Sequence, residues 1–294
     1  DTTPLLVKSA VFSLIIVCCG YVASKADFSR LINRFENLRV LGLMPHPEDL
    51  VDPLMGGEDG KPLRRPNGGP VIRMMLFPAE AAEITDVWDV IGLKGTGSDT
   101  YSVKDLFVPE QMSFARDEEV DRRENGLLFK FSTSNIYSFG FAAVALGVAR
   151  QMLDDATRMV SEKTPSGSKR ALRDNNVVQA HIGRSEAMLR AARVYLYATA
   201  RDLWHAMAET SELTLAQKLE IRMASTHAIH QAGAAVDALY HMLGSTAVFR
   251  QFPFERRFRD MHTAMQQLQG RESNYENIGQ VVLGLDPDAM LFTT

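Results

Sequence analysis

The chain has 294 residues, 46% hydrophobic and 23% charged, enough to bury a large core without disulfide or metal staples. Lys and Arg total 32 against 36 Asp and Glu, and the net charge of −4 excludes a general nucleic-acid binder, which needs a basic surface. The cysteines, Cys18 and Cys19, are adjacent, so a disulfide-framed secreted fold is excluded and a reducing, cytoplasmic setting is expected.

The first segment, Leu5–Ala23, is rich in apolar residues and carries Lys8. A basic residue before an apolar stretch is compatible with a signal peptide, but the run Leu14-Ile15-Ile16-Val17 favours a buried strand or helix. No membrane association is expected. Tyr21 and Lys25 have the spacing of a Tyr/Lys catalytic pair, but no Gly-rich dinucleotide loop precedes them, and the match is read as coincidence. Residues 44–70 are dense in Pro, Gly, Asp and Arg, which is loop chemistry. Three strand-like runs follow: Val71–Phe77, stopped by Pro78; Ile84–Val90; and Tyr101–Val108, alternating up to Pro109. Gly92-Leu93-Lys94-Gly95-Thr96-Gly97-Ser98 lacks the Lys-Ser/Thr of a phosphate loop and has a strand after it rather than a helix, so it reads as a turn between strands. Arg116–Asn125 is a charged connector.

From about Ser132 onward the pattern is helical. Tyr137–Lys163 is Ala-rich and free of Pro; Asn175–Thr210 has Asp174 or Asn175 as its cap. Thr214–Leu243 opens on a capping hydroxyl and ends at Gly244, and Pro253 starts Phe254–Leu283 with Glu255 in its first turn. In the second helix Val177, Ala180, His181, Arg184, Met188 and Ala191 recur at helical spacing as an interrupted apolar stripe. Four helices with short connections predict an antiparallel bundle. The domains are therefore an unassigned segment over 1–45, a partial β-domain over 46–130 and a helical domain over 131–294.

Several groups carry chemistry. His227 and His230 share a helix face without a third ligand, and neither CxxC nor HExxH occurs, so no metal is expected. Glu255–Asp260 is a dense charge cluster that reads as a solvated or salt-bridged face. Ser166, Gly167, Ser168, Lys169 and Arg170 lie between two helices, where hydroxyls, backbone N–H groups and cations suit a phosphate as well as they suit a plain turn.

Trp88–Pro109 resembles the central β-domain of the acyl-CoA dehydrogenase superfamily, and residues 137–284 resemble its C-terminal four-helix domain. Gly244-Ser245-Thr246, followed by Phe254–Asp260 (FERRFRD), resembles that family's Gly-rich turn and its "ER…RD" motif. The Gly95–Ser98 turn, His262–Gln266 and Gln269–Tyr275 are most similar to the branch of flavin-dependent monooxygenases and hydroxylases. The resemblance covers about residues 60–294 and implies an α+β fold: a partial antiparallel β-domain followed by a C-terminal antiparallel four-helix bundle of acyl-CoA dehydrogenase type.

The activity it implies is redox chemistry on FAD or FMN. In ordinary dehydrogenases of this family a Glu before Gly-Thr removes a proton from the substrate. Here the matching residues are Gln269-Gly270-Arg271, and an amide is no general base. The monooxygenase branch, which reacts reduced flavin with oxygen in a dry pocket, is therefore the first expectation. An acyl-CoA dehydrogenase and a truncated, non-catalytic oligomeric bundle are the alternatives. The resemblance assigns Gly244, Ser245 and Thr246, with Ser166, Gly167, Ser168 and Arg170, to the phosphate end of the flavin. It places His262 and Gln267 near the isoalloxazine or substrate, although related monooxygenases carry His where this chain has Gln267. The flavin-lining aromatic-Ser-Gly segment has no match in residues 1–60, and the family's N-terminal helical domain is not seen in this sequence. The partners implied are a small organic substrate, a separate flavin reductase and further copies of the chain as a homodimer or homotetramer.

Overall fold

The computed structural model describes residues 5–8, 73–114, 122 and 124–287. The cysteine pair, the Tyr21/Lys25 spacing, the loop-rich 44–70 stretch and most of the 116–125 connector lie outside the described residues. The chain divides into two compact units, one of residues 1–89 and 94–124, the other of 90–93 and 125–294.

The first unit is built on short strands. β1 (Leu5–Lys8), β4 (Thr100–Val103) and β3 (Glu83–Thr85) form an antiparallel sheet in the order β1-β4-β3, with Leu5 opposite Val103 and Ile84 opposite Tyr101. β2 (Met74–Met75) pairs with β5 (Ser113–Phe114), and Arg73 fastens that pair by donating to both the hydroxyl and the carbonyl of Ser113, each at 3.0 Å. Met74, Phe77, Tyr101 and Val103 make its core. The strands are shorter than the sequence pattern predicts. Alternation in β4 stops at Asp105, whose φ of 49° leaves the extended region, and Phe107 beyond it is 85% exposed. The glycine segment bridges β3 and β4 as expected, through a 3₁₀ turn at Lys94–Thr96 and Gly97 at φ 55°. The Asp99 carboxylate accepts from the Val87 and Trp88 N–H groups and closes that connection.

The second unit is helical: α1 (Thr133–Glu162), α2 (Asn176–Thr210), α3 (Leu215–Leu243), α4 (Phe254–Met265) and α5 (Ser273–Val282). The starts follow side-chain chemistry. Ser132 caps α1 on the Asn135 N–H, so the helix starts at Thr133, four residues before the predicted Tyr137, and Asn175 caps α2 on the Val177 N–H at 2.8 Å. Thr214 and Gln217 form a reciprocal capping box on α3, which ends at Gly244 as predicted. α3 is the central helix, packed against each of the other four. Ala142, Ala149 and Ala156 on α1 and Ala228, Ala232 and Ala235 on α3 are fully buried, and side chains this small let helix axes approach closely. α1 is long and apolar enough to cross a membrane, but here it is a core helix.

The interrupted stripe on α2 marks a helix but not its buried face: Val178, Ser185, Leu189, Ala192 and Leu196 face inward, while Val177, Ala180, Arg184 and Ala191 are exposed and His181 and Met188 half-buried. One helical expectation is corrected. Helix 254–283 is not continuous. It breaks after Met265 into a 3₁₀ turn at Leu268–Gly270 and resumes as α5. The chain there folds back so tightly that a Cβ on Gly270 would lie 2.5 Å from the Met265 carbonyl oxygen.

Candidate functional site

α1 ends, α2 begins, α3 ends and α4 begins at one end of the bundle. Gly244, at φ 56° and ψ −138°, turns the chain out of α3 in a conformation suited to glycine. It opens the 3₁₀ turn Gly244–Val248, in which Thr246 is buried and Ser245 exposed. The connection from α1 to α2 is a closed loop: the Leu172 N–H donates to the Lys163 carbonyl at 2.9 Å and the Ser168 N–H to that of Pro165. Gly167 takes φ 78° at its tip. The Ser168 hydroxyl is engaged locally, accepting from the Arg170 N–H and donating to the Arg170 carbonyl, both at 3.1 Å. Ser166, Lys169 and Arg170 are exposed.

The two groups singled out in the sequence are connected by a residue that sequence reasoning missed. Lys163, directly after α1, donates its ammonium to the Thr246 hydroxyl. A second link lies nearby, where Arg257 of α4 pairs with Asp155 of α1, both largely buried. Two signals for Lys163 were present: a cation at a helix C-terminus, and Pro165, which stops the helix just beyond it.

His262 and Gln267 sit on different segments. His262, in the last turn of α4, bonds through Nε2 to Asp237 of α3 at 2.8 Å, and its ring lies 4.3 Å from that of Phe258, which stacks on Tyr240. Gln267 is outside the helix, and its side-chain oxygen caps the 3₁₀ turn by accepting from the Leu268 N–H. The charge cluster before them is engaged rather than solvated. Arg259 pairs with Glu255 and donates to the Ile91 carbonyl, and Asp260 accepts from the Leu93 N–H at 2.7 Å.

Gln269 is buried, and its side-chain oxygen has no hydrogen-bond partner among the described residues. Its backbone is held firmly: the carbonyl accepts from the Thr226 hydroxyl at 2.9 Å and from Asn274 Nδ2 at 3.2 Å. His230 meets the next carbonyl, that of Gly270, and His227 instead edges the Tyr195 ring at 5.9 Å, so the pair noted in the sequence diverges. No group of three His, Cys, Asp or Glu side chains suited to a metal occurs among the described residues. Arg222 is buried on α3 and donates to the Ser134 hydroxyl at 3.1 Å; burial pulls its pKa down to about 10.

Residues 139–269 match the family model "Acyl-CoA dehydrogenase, C-terminal domain". The chain is 27% identical over 215 residues to an indole-3-acetate monooxygenase of Pseudomonas putida, covering 73% of this chain and 55% of that protein. It is 25% identical over 236 residues to HsaA, the oxygenase subunit of a flavin-dependent monooxygenase of Mycobacterium tuberculosis, covering 75% of this chain and 60% of that protein. The structure of XiaF from a Streptomyces species, in complex with FADH2 and glycerol, superposes with a TM-score of 0.69 at 24% identity, covering 80% of this chain and 59% of that one. The chain thus spans a little over half the length of the curated relatives it matches.

Proposed function

We propose that this chain, whose residues 139–269 match the acyl-CoA dehydrogenase C-terminal domain model and whose fold is acyl-CoA dehydrogenase-like, is the oxygenase component of a two-component flavin-dependent monooxygenase. In this reading it works in the cytoplasm on a small organic substrate. A separate reductase supplies reduced FAD or FMN, and the chain assembles as a homodimer or homotetramer. Two relatives are monooxygenases by name, and one is an oxygenase subunit.

The observation that carries the reading is the Lys163–Thr246 bond, which links the Ser166–Arg170 loop to the Gly244–Thr246 turn at one end of the bundle. The donor set fits a phosphate: an ammonium, a hydroxyl, exposed Lys169 and Arg170, and a glycine turn without a side chain in the way. Gly244, Ser245 and Thr246, with Ser166, Gly167, Ser168 and Arg170, would hold the flavin's phosphate end. The flavin, when bound reduced, supplies the electrons that activate oxygen.

The protein's part is to bind, orient and keep protons in place. His262, fixed by Asp237, holds a proton on Nε2 and leaves Nδ1 to face other groups. Gln267 uses its oxygen as a cap, so its amide N–H groups remain as neutral donors. Gln269 stands where the resemblance puts the dehydrogenase base, and it cannot take a proton from a substrate.

Titration of the full chain with oxidised and reduced FAD and FMN, followed by fluorescence and calorimetry, tests the reading. Preference for a reduced flavin supports it. Tight oxidised binding with bleaching by an acyl-CoA would replace it with a dehydrogenase. A folded oligomer that binds neither form would leave a scaffold.

A further inference from the structure

Three successive carbonyls of one turn are each held by a side chain. Leu268 O accepts from Asn274 Nδ2 at 3.1 Å, Gln269 O from Asn274 and Thr226, and Gly270 O meets His230 Nε2 at 2.8 Å. A carbonyl only accepts, so His230 Nε2 carries a hydrogen. The opposite ring nitrogen, Nδ1, faces the Glu272 carboxylate at 3.4 Å. The Glu272 contact is an ion pair, and it is attractive only when the ring is an imidazolium. A neutral ring keeps its hydrogen bond to Gly270 and loses the attraction to Glu272.

Few ionisable groups compete there. Tyr275 of α5 presents its ring to that of His230, edge-on at 5.5 Å, and burial keeps its phenol neutral by raising its pKa. On α2, Tyr195 faces His227 and donates to Glu220 at 3.2 Å. On α4, His262 is bonded to Asp237.

We propose that His230 is a proton-operated clamp on the Gln269–Glu272 turn: protonated, it ties Gly270 and Glu272 to α3 together, and deprotonated, it releases the Glu272 side. The turn carries the buried Gln269 amide, so the clamp sets how firmly that amide is positioned. His230 is a positioning residue, acting through the turn. The inference does not rest on the flavin reading, and its test uses no flavin.

The test is amide hydrogen exchange of the 266–275 segment in the full chain, comparing wild type with Glu272→Gln and His230→Gln at about pH 5.5 and about pH 8. Glu272 is exposed, so its variant keeps the fold, and His230→Gln retains an N–H at the Nε position for the Gly270 carbonyl. At the acid pH the wild-type turn should exchange about three-fold more slowly than Glu272→Gln, the size expected of a partly solvated pair. At the alkaline pH the two should exchange alike. His230→Gln should match Glu272→Gln at both. Equal protection of wild type over Glu272→Gln at both pH values, or no protection at either, overturns the clamp. Reduced-FAD binding measured on the same samples reports separately on the proposed function.

Discussion

Lys163 and Thr246 are 83 residues apart in sequence, and the ammonium of the first donates to the hydroxyl of the second. The bond fastens the connection after α1 to the turn after α3. The long α1 and α3 cores thereby determine the spacing of two otherwise exposed loops.

Thr246→Val keeps the shape of the buried side chain and removes the acceptor. Lys163 is then left as a cation without that anchor. Affinity for reduced flavin should fall about ten-fold, with a stability loss of about 1 kcal/mol, and Thr246→Ser should recover most of both. Fluorescence titration and urea melts measure the two quantities. Unchanged affinity in a folded Thr246→Val would remove this end of the bundle from the flavin site.

Gly92 offers a purely steric test. Residues 90–93 belong to the helical unit, and a Cβ on Gly92 would lie 2.2 Å from the Arg259 carbonyl oxygen. Backbone cannot yield as a flexible side chain does, so Gly92→Ala should cost about 1–3 kcal/mol in a denaturant melt. Gly95→Ala, with nothing within 4 Å of the added carbon, is the control and should lie within about 0.5 kcal/mol of wild type.

What was legible in the sequence was mostly local. Asn175, Thr214 with Gln217, and Gly244 act through neighbours a few residues away, so their cap chemistry could be read directly. The buried face of α2 was not legible because its outward side is also apolar: Val177 is 64% exposed and Val194 69%. The break after Met265 had no local signal, because Gly270 is needed only once the chain returns onto Met265 and Ile229. Likewise Asp237 under His262 and Thr226 under Gln269 lie on another helix, and spacing cannot reveal such partners. The helical domain followed from apolar spacing, caps and breakers, and the α+β class from the family resemblance, while the short strands depended on pairing that no single run encodes.

Gln269→Glu asks whether a carboxylate suits the position of the missing base. The side chain is buried and its oxygen accepts no bond among the described residues, so ionisation there would be penalised by desolvation. The introduced carboxyl would have a folded pKa above its unfolded one. Its charge penalty is absent below the unfolded pKa and grows as pH rises through the interval between them. The variant should melt near wild type at about pH 4 and lose about 2–4 kcal/mol by about pH 8. A variant as stable as wild type at both would show that this position is solvated.

At high pH the tyrosines decide. Burial raises the pKa of Tyr101 well above its ordinary value, and burial with the nearby Glu220 carboxylate pushes Tyr195 up to about 12. Tyr275 is raised by burial and by Glu272. Each phenol stays protonated in the folded chain after its unfolded counterpart has ionised near pH 10, so the unfolded state binds fewer protons and stability falls as pH rises. Arg222, drawn down to about 10, works the other way, since its folded form releases a proton before the unfolded one does. Three groups outweigh one, and the net slope is negative. Stability by urea melt should be flat to about pH 9 and decline from about pH 10. Tyr195→Phe removes one of the three at the expense of the Glu220 hydrogen bond. It should melt slightly below wild type at neutral pH and lose less on alkalinisation, so the two curves converge toward pH 12. Parallel curves across that range would show that the Tyr195 phenol ionises alike in the folded and unfolded chain.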